Sequence, residues 1–402
     1  MSCNVTLREV VEFQKGFAFK SKDYKDNGVR IVKVSNLTSD SIDISQCVCI
    51  DEELAIKYSD KYNLIYDDII ITTVGSWPTN PASVVGKVVK VPKNASHTLL
   101  NQNAVRLRSN DNLHQRYLYY MLKNNNFREY IVGTAQGSAN QASITQEDIK
   151  NYEFNLPSLE EQEKIANILS SLDDKIELNN EMNKTLEEMA QAIFKRWFVD
   201  FEFPNEDGEP YKSSGGEMVE SERGMIPKGW EVKEFGDIVD FKYGKMPKKS
   251  DIVDTGFPIF SGYKITGYYK ECMFEESQLI VVARGVGGTG DVKFSPPKCF
   301  LTNLSIAILL RDNNIIKEYL YYYLKNSNLK LLDTGSAQSQ ITITNLSKFK
   351  IINPTNDIMK KFHIFVSRLL KMKDSLEIEN KSLIETRDTL LPKLMSGEIR
   401  VK

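Results

Sequence analysis

Any fold built from this chain has to be built twice. The segment Tyr117-Leu118-Tyr119-Tyr120-Met121-Leu122-Lys123-Asn124-Asn125-Asn126 returns as Tyr319-Leu320-Tyr321-Tyr322-Tyr323-Leu324-Lys325-Asn326-Ser327-Asn328, identical at eight of ten positions. The halves also open alike. The pattern from Leu7 to Gly16 matches that from Phe235 to Gly244, and Gly28 and Ile31 match Gly256 and Ile259. The apolar run Ile69 to Thr73 matches Leu279 to Ala283, with Gly75 or Gly285 following. Gly133-Thr134-Ala135-Gln136 answers to Gly335-Ser336-Ala337-Gln338, and Ser143-Ile144-Thr145 to Thr342-Ile343-Thr344. Each half then reaches a proline, Pro157 or Pro354, and a long helical segment in which Asn183-Lys184-Thr185-Leu186 is echoed by Asn380-Lys381-Ser382-Leu383. A period of about 200 residues is far beyond the roughly 20–50 of solenoid repeats, so the unit is a globular part plus a helix, duplicated. One reading gives the molecule two similar faces for a two-part ligand. The alternative is duplication without symmetric use.

Composition narrows the class. At 402 residues, two to four domains fit a prior of about 100–200 residues each, and 41% hydrophobic residues support real cores. No apolar run approaches the roughly 20 residues of a membrane span, and the start Met1-Ser2-Cys3-Asn4 has no basic-then-apolar leader pattern. Five cysteines, with no C-x-x-C pair, argue against a disulfide framework or zinc site, so a reducing cytoplasm is expected. The net charge of −2 hides an asymmetry: residues 157–210 carry five Lys and Arg against fourteen Asp and Glu, while residues 354–402 carry ten against seven. An acidic first helix and a mildly basic last helix suit each other, and the globular parts stay near neutral or slightly basic. That permits a polyanionic ligand without demanding one.

The helices show seams. After Pro157, Ile165, Leu169, Leu172 and Ile176, then Leu186, Ala190 and Ile193, fall at alternating three- and four-residue spacing. Glu160, Glu161 and Glu163 stand in the first turns, where the helix dipole favours anions. The second segment places Phe362, Val366, Leu369, Leu376, Leu383 and Leu390 likewise, with a break or end expected near Pro392. Asn179, Asn183 and Asn380 fall on the seams, where a polar residue fixes register at some cost in stability; the alternative sets them just off the seam in solvent. A helix of about 35–40 residues is roughly 50–60 Å long, enough to space two readers along a duplex whose major-groove faces recur every ~34 Å.

Four motifs carry a resemblance. They are Leu156-Pro157-Ser158-Leu159-Glu160-Glu161-Gln162 at the start of the first helix and Phe194-Lys195-Arg196-Trp197-Phe198-Val199-Asp200-Phe201 at its end. Ile226-Pro227-Lys228-Gly229-Trp230-Glu231-Val232 opens the second half, and Leu390-Leu391-Pro392-Lys393-Leu394-Met395-Ser396-Gly397-Glu398-Ile399 closes the chain. In that order they resemble the specificity (S) subunit of type I restriction-modification systems. The resemblance implies an α+β protein with a pseudo-twofold internal repeat. Two similar target recognition domains, mixed and β-rich with helices, would be separated by two long conserved helices packed as an antiparallel coiled coil. Residues 1–156 would be the first recognition domain, 157–203 the central helix, 204–353 a linker and the second recognition domain, and 354–402 the distal helix and C-terminal segment. The resemblance also implies a sequence-specific DNA-binding subunit without catalytic residues that docks two methyltransferase subunits. Restriction subunits complete the complex, and no cofactor is expected on this chain, S-adenosylmethionine belonging to the methyltransferase. Ile165, Leu169, Leu172, Leu186, Phe194, Trp197, Phe198, Leu383, Leu390 and Leu394 are the candidate partner-binding residues. One departure stands out: the second helix has Asp357-Ile358-Met359 where the first has Glu-Glu-Gln.

Catalytic readings find little support. Gly285-Val286-Gly287-Gly288-Thr289-Gly290 fits a dinucleotide fingerprint, but Asp291 to Pro297 reads as a strand and a proline stop, not the helix that would cradle a pyrophosphate. Ser295-Pro296-Pro297-Lys298 lacks both the Asn or Asp and the aromatic of an amino-methyltransferase motif. The three histidines (97, 114, 363) form no metalloprotease or hydrolase pattern.

DNA readers need paired donors and acceptors: Asn and Gln for adenine, Arg and Lys for guanine, with Lys, Ser and Thr also reaching phosphates. Apparent loops rich in these supply Lys15, Lys20, Thr73, Ser76, Trp77, Asn80, Gln136, Ser138, Asn140 and Gln141 in the first half. The second half supplies Lys242, Tyr243, Lys245, Lys248, Lys249, Arg284, Ser336, Gln338, Ser339 and Gln340. For any one loop the alternative is plain solvated surface. The Tyr-rich segments read as core helices. The expected function is recognition of a split DNA site; the rival is a scaffold that binds protein through its helices and reads no DNA.

Overall fold

The computed structural model describes residues 3–77, 85–138, 141–285, 288–311, 315–333 and 339–401. The chain divides into two compact units, Met1–Asn179 with Ile378–Lys402, and Asn180–Glu377. The division runs through both long helices, the central one at Leu159–Phe198 and the distal one at Asn356–Met395, each of 40 residues. Each unit therefore holds one globular part and half of each helix. No helix among the described residues is long and apolar enough to cross a membrane.

The first unit is organised by a four-stranded antiparallel sheet of β1 (Val11–Lys15), β2 (Ile69–Thr72), β3 (Val88–Lys90) and β4 (Ala104–Ser109), in the order β1-β4-β2-β3. The second unit repeats it with β5 (Val239–Tyr243), β6 (Leu279–Val282), β7 (Val292–Phe294) and β8 (Ser305–Leu310), in the order β5-β8-β6-β7. Ile69 to Ile71 of β2 and Leu279 to Val282 of β6 are apolar at successive positions because both sheet faces are covered there. Ile69 and Ile71 enter the main core and Ile70 a second one, as Leu279 and Val281 do opposite Ile280. A smaller sheet in each unit contains a parallel pair, Ile31 beside Leu99 and Ile259 beside Phe300. At the corner before it, Gly16 and Gly244 occupy equivalent places. A methyl group on either would come to about 2 Å from a carbonyl oxygen, Asn101 O (1.9 Å) or Thr302 O (2.0 Å).

The Tyr-rich segments are helices, Gln115–Lys123 and Lys317–Lys325, and their tyrosines are core. Tyr319 donates to the Ile352 carbonyl at 2.5 Å, and Tyr120 donates to Asp173 of the central helix at 2.6 Å. One repeat pairing needs correction. Ile144 N–H donates to Thr73 O (2.9 Å) and Ile341 N–H to Ala283 O (2.9 Å), while Thr145 and Thr342 cap the following short helices. Ser143-Ile144-Thr145 thus corresponds to Gln340-Ile341-Thr342, two residues earlier than the sequence match. The run Ile341-Thr342-Ile343-Thr344 is itself alternating, so a two-residue slip preserves its pattern.

The helices run antiparallel within each unit, the low-numbered part of one against the high-numbered part of the other. In the first unit Ile165, Ala166 and Leu169 share a core with Leu394. Arg387 pairs with Asp173 at 2.8 Å, and Lys175 with Glu379 at 3.5 Å. Asn179, fully buried, donates to Asn380 and Glu379 at 2.9 Å each, so Asn179 and Asn380 lie in the seam, while Asn183 is half-buried. In the second unit Phe194, Trp197 and Phe198 pack with Phe362 and Val366, and Glu187 meets Lys373 (3.4 Å) and Lys325 (3.1 Å). The distal helix does not break at Pro392 but continues to Met395. The proline removes one helical hydrogen bond, its own, and the helix goes on for three more residues.

Gln162 gives the Glu-Glu-Gln run a structural task. Buried, it accepts from His114 N–H (2.8 Å) and donates to the Pro157 (3.0 Å) and Asn112 (3.3 Å) carbonyls, tying the Tyr-rich helix to the central helix. Met359, equally buried, stands at the matching place in the second unit and fills space instead.

Two measurements probe this framework. Arg387 and Asp173 side chains are each 11% exposed. Arg387→Met should leave a buried carboxylate and cost about 3–5 kcal/mol in denaturant unfolding, much of it recovered by adding Asp173→Asn. A loss below about 1 kcal/mol would show that the pair is effectively solvated. Acid should also unfold the protein. Burial raises the Asp40 carboxyl, but Lys123 and Arg387 outweigh it and hold the group below its usual range. Burial likewise opposes, and Gln191, Lys325 and Lys373 outweigh, a lowered Glu187. Groups depressed in the folded state stabilise it above their unfolded value of about 4, and that contribution fades as pH falls through the folded value. The melting temperature should therefore drop between about pH 5 and pH 3, less steeply in an Asp40→Asn, Glu187→Gln variant.

Candidate nucleic-acid interface

Both sets of candidate residues converge on the same end of the repeated sheet, where the first and second strands of each sheet finish. In the first unit Lys15 is paired with Val105 and Thr72 with Ala104, at the start of β4. Beyond β2, Val74–Gly75 joins Gln141–Ser143, which in turn pairs with Gln136–Ser138. The two loops expected to reach a ligand are thus one three-stranded ribbon. Trp77 closes it by donating its indole N–H to the Ser138 carbonyl at 2.8 Å. Gln136, Ser138 and Gln141 are exposed on the ribbon, and Lys15 and Lys20 are exposed beside the sheet corner. Lys20 borders a cavity of about 160 Å³ lined by Phe17, Phe19 and Tyr58.

In the second unit Tyr243 is paired with Ile306, and Gly244 and Lys245 N–H groups donate to Ser305 (3.0 Å) and Leu301 (2.9 Å) carbonyls. Arg284 follows β6 at the same end and bridges to Gln340. β6 and β7 pair antiparallel, so a strand and not a helix follows Gly290. Exposed Lys248 and Lys249 lie on the next turn, where Lys248 N–H reaches the Tyr269 hydroxyl at 3.4 Å.

Several candidates serve the fold. Thr73 and Ser76 are buried, at 6% and 8% exposure, so their side chains do not present themselves to a ligand. The Tyr243 hydroxyl accepts from Ile343 N–H at 3.0 Å, and Lys242 sits 5.4 Å from the Phe274 ring centre. Asp333 takes the Ser339 hydroxyl and, at 2.7 Å, the Gln340 N–H. Asn80, Asn140, Ser336 and Gln338 lie outside the described residues. The candidate partner-binding residues need a similar correction. Ile165, Leu169, Leu186, Phe194, Trp197, Phe198 and Leu394 are buried, and Leu172, Leu383 and Leu390 half-buried, within the chain's own packing. The seam spacing that singles them out is what turns them inward. The apolar side chains left exposed on the helices include Leu178, Met182 and Met189 on the central one and Phe365, Met372 and Ile378 on the distal one.

Sequence reasoning missed Tyr263 and Lys293. The Tyr263 hydroxyl donates to the Arg284 carbonyl at 3.1 Å, and Lys293 lies 5.5 Å from the Tyr263 ring centre. Burial and the nearby Asp291 push the Tyr263 phenol up, which keeps it protonated and a donor. No spacing signals this contact, because it joins residues 21 apart through tertiary structure.

What this arrangement offers is a framework built twice with different side chains at its working end. A family model described as the type I restriction modification DNA specificity domain matches residues 3–188 and 227–386. The Type I restriction enzyme HindI specificity subunit of Haemophilus influenzae is 28% identical over 356 residues, spanning 70% of this chain and 77% of that protein. The Type I restriction enzyme MjaIX specificity subunit of Methanocaldococcus jannaschii is 30% identical over 338 residues, spanning 78% and 75%. The crystal structure of the type I restriction-modification system S subunit from M. genitalium shares the fold, with a TM-score of 0.60 at 19% identity over 98% of this chain and 96% of that one. With one match in each half, the chain belongs to the type I restriction-modification DNA specificity family.

Proposed function

We propose that the two units each read one block of a split, asymmetric DNA sequence, and that the chain performs no chemistry itself. Adenine methylation, with its S-adenosylmethionine, and cleavage belong to partner subunits: two methyltransferase subunits, joined by restriction subunits in the full complex. Such a complex works in the cytoplasm, on the cell's DNA and on incoming DNA. One observation carries the reading. The same sheet end presents Gln136, Ser138 and Gln141 in one unit and Lys245 and Arg284 in the other, as two different half-sites require. The exposed apolar residues of the helices, Phe365, Met372 and Ile378 among them, give partner subunits something to cover.

Selection on random duplexes with the purified methyltransferase should enrich two short blocks at fixed spacing. Exchanging residues 1–150 for another recognition domain should change one block only. Methyltransferase binding without any enrichment would favour the scaffold reading instead. Affinity should fall with salt, because neutralising phosphates releases counterions. Lys248→Ala and Lys249→Ala should each reduce the log–log salt slope by roughly 1 while leaving the motif intact, as phosphate contacts do. An unchanged slope would remove both lysines from the interface.

A further inference from the structure

The hairpin at the working end of the second unit holds one side chain in an unusual position. Arg284 has a tightly fixed backbone: its N–H donates to Leu304 O (3.2 Å), its carbonyl accepts from the Tyr263 hydroxyl (3.1 Å), and it bridges to Gln340. The residue before it is fixed as well, since Ala283 N–H donates to Leu304 O at 2.7 Å and Ala283 O accepts from Ile341 N–H at 2.9 Å. Gly285, next in line, has φ +137°, and a methyl group there would stand 2.3 Å from the Tyr263 hydroxyl oxygen. A methyl group on Gly288 would come within 2.4 Å of the same ring. Tyr263 thus packs against the backbone of Gly285 and Gly288 and holds the carbonyl of Arg284.

The side chain of Arg284 is exposed, and among the described residues its guanidinium has no ion pair or hydrogen bond. The other arginines of these two sheets are engaged: Arg106 with Glu12, Arg108 with Asp68, Arg311 with Asp240. The nearby acids are committed too, Asp291 to Lys293 and Asp333 to Ser339 and Gln340. The equivalent position in the first unit is Val74, as the matching bonds to Thr73 O and Ala283 O show. At this place in the repeated sheet, a guanidinium without a partner among the described residues stands in the second unit and not in the first. Its planar fork matches the O6 and N7 acceptors of guanine in the major groove, whereas a phosphate contact needs no such rigidity.

Resting on the proposed reading of DNA by the two units, we infer that Arg284 reads a guanine in the block bound by the second unit, and that Tyr263 is its positioning residue. The test uses the full chain with its methyltransferase on a random duplex library. In the block that survives exchange of residues 1–150, one G·C pair should be preferred over the other pairs by roughly 5- to 150-fold. Arg284→Ala should reduce that preference to within about threefold at this pair alone, with the other positions and the melting temperature unchanged. Arg284→Lys should keep more of the overall affinity yet lose most of the preference, because a single ammonium lacks the fork. Tyr263→Phe should weaken the preference at the same pair by an intermediate amount. A surviving block with no G·C pair would overturn the assignment. So would an Arg284→Ala variant that binds all sequences equally more weakly with its preference intact. If the unaltered complex enriches no split motif at all, the reading of the two units as DNA readers fails, and the assignment with it.

Discussion

Neither globular part covers its own apolar face, and the rest of the architecture depends on how that is solved. The first core is completed by Ile165, Ala166 and Leu169 from the start of the central helix and by Leu394 from the end of the distal one. The second is completed by Ala190, Phe194, Trp197 and Phe198 from the end of the central helix and by Ile358, Met359, Phe362 and Val366 from the start of the distal one. Each large side chain so covered contributes about 1.5–3 kcal/mol. The helices are therefore structural members of both units. The chain's last turns must return to its first domain before that domain is finished.

Polar contacts decide which residues meet across this apolar seam. Asn179 donates to Asn380 and Glu379 where both are withdrawn from water. A slip of one helical turn would set an amide against an apolar neighbour without a partner, at a cost of about 1–3 kcal/mol. Arg387 adds a second lock by meeting Asp173, which also receives the Tyr120 hydroxyl. Through that carboxylate, the repeated Tyr-rich segment and both helices of the first unit are joined at one point. The second unit uses Glu187 similarly, with Lys325 from the Tyr-rich helix and Lys373 from the distal helix. The acidic central helix and basic distal helix legible in the composition are resolved here into particular pairs, although Lys175 and Glu379 run the other way.

Much of this was open to reading from the residues, for a definite reason. Core spacing is coded locally, so the strands Ile69–Thr72 and Leu279–Val282, the Tyr-rich helices and the seams could be placed from periodicity alone. The working surface is coded by tertiary contacts that periodicity does not see. Thr73 and Ser76 look like polar loop residues, yet both are buried where their carbonyls accept from Ile144 and Val85. Ile341-Thr342-Ile343-Thr344 repeats with a period of two, and only the hydrogen bond from Ile341 to Ala283 sets its register. The seam leucines have the spacing of a docking surface, because the spacing that suits a partner helix is the same whether the partner is another chain or this one.

That division of labour explains how one framework carries two specificities. Lys123 and Lys325 are the same residue in the repeat, yet one meets Asp40 and the other Glu187, because the surrounding turns differ. Val74 and Arg284 likewise share a place at the sheet end and differ in chemistry. Cores tolerate little change, since volume and hydrogen bonding are both constrained there, and the duplicated halves keep theirs closely alike. Exposed side chains at these sheet ends, Gln136, Gln141 and Arg284 among them, are outside the core, so they can change with little cost to the fold. A reader assembled this way acquires a new half-site by altering one sheet end, while the helices, the ion pairs and the other half stay as they are.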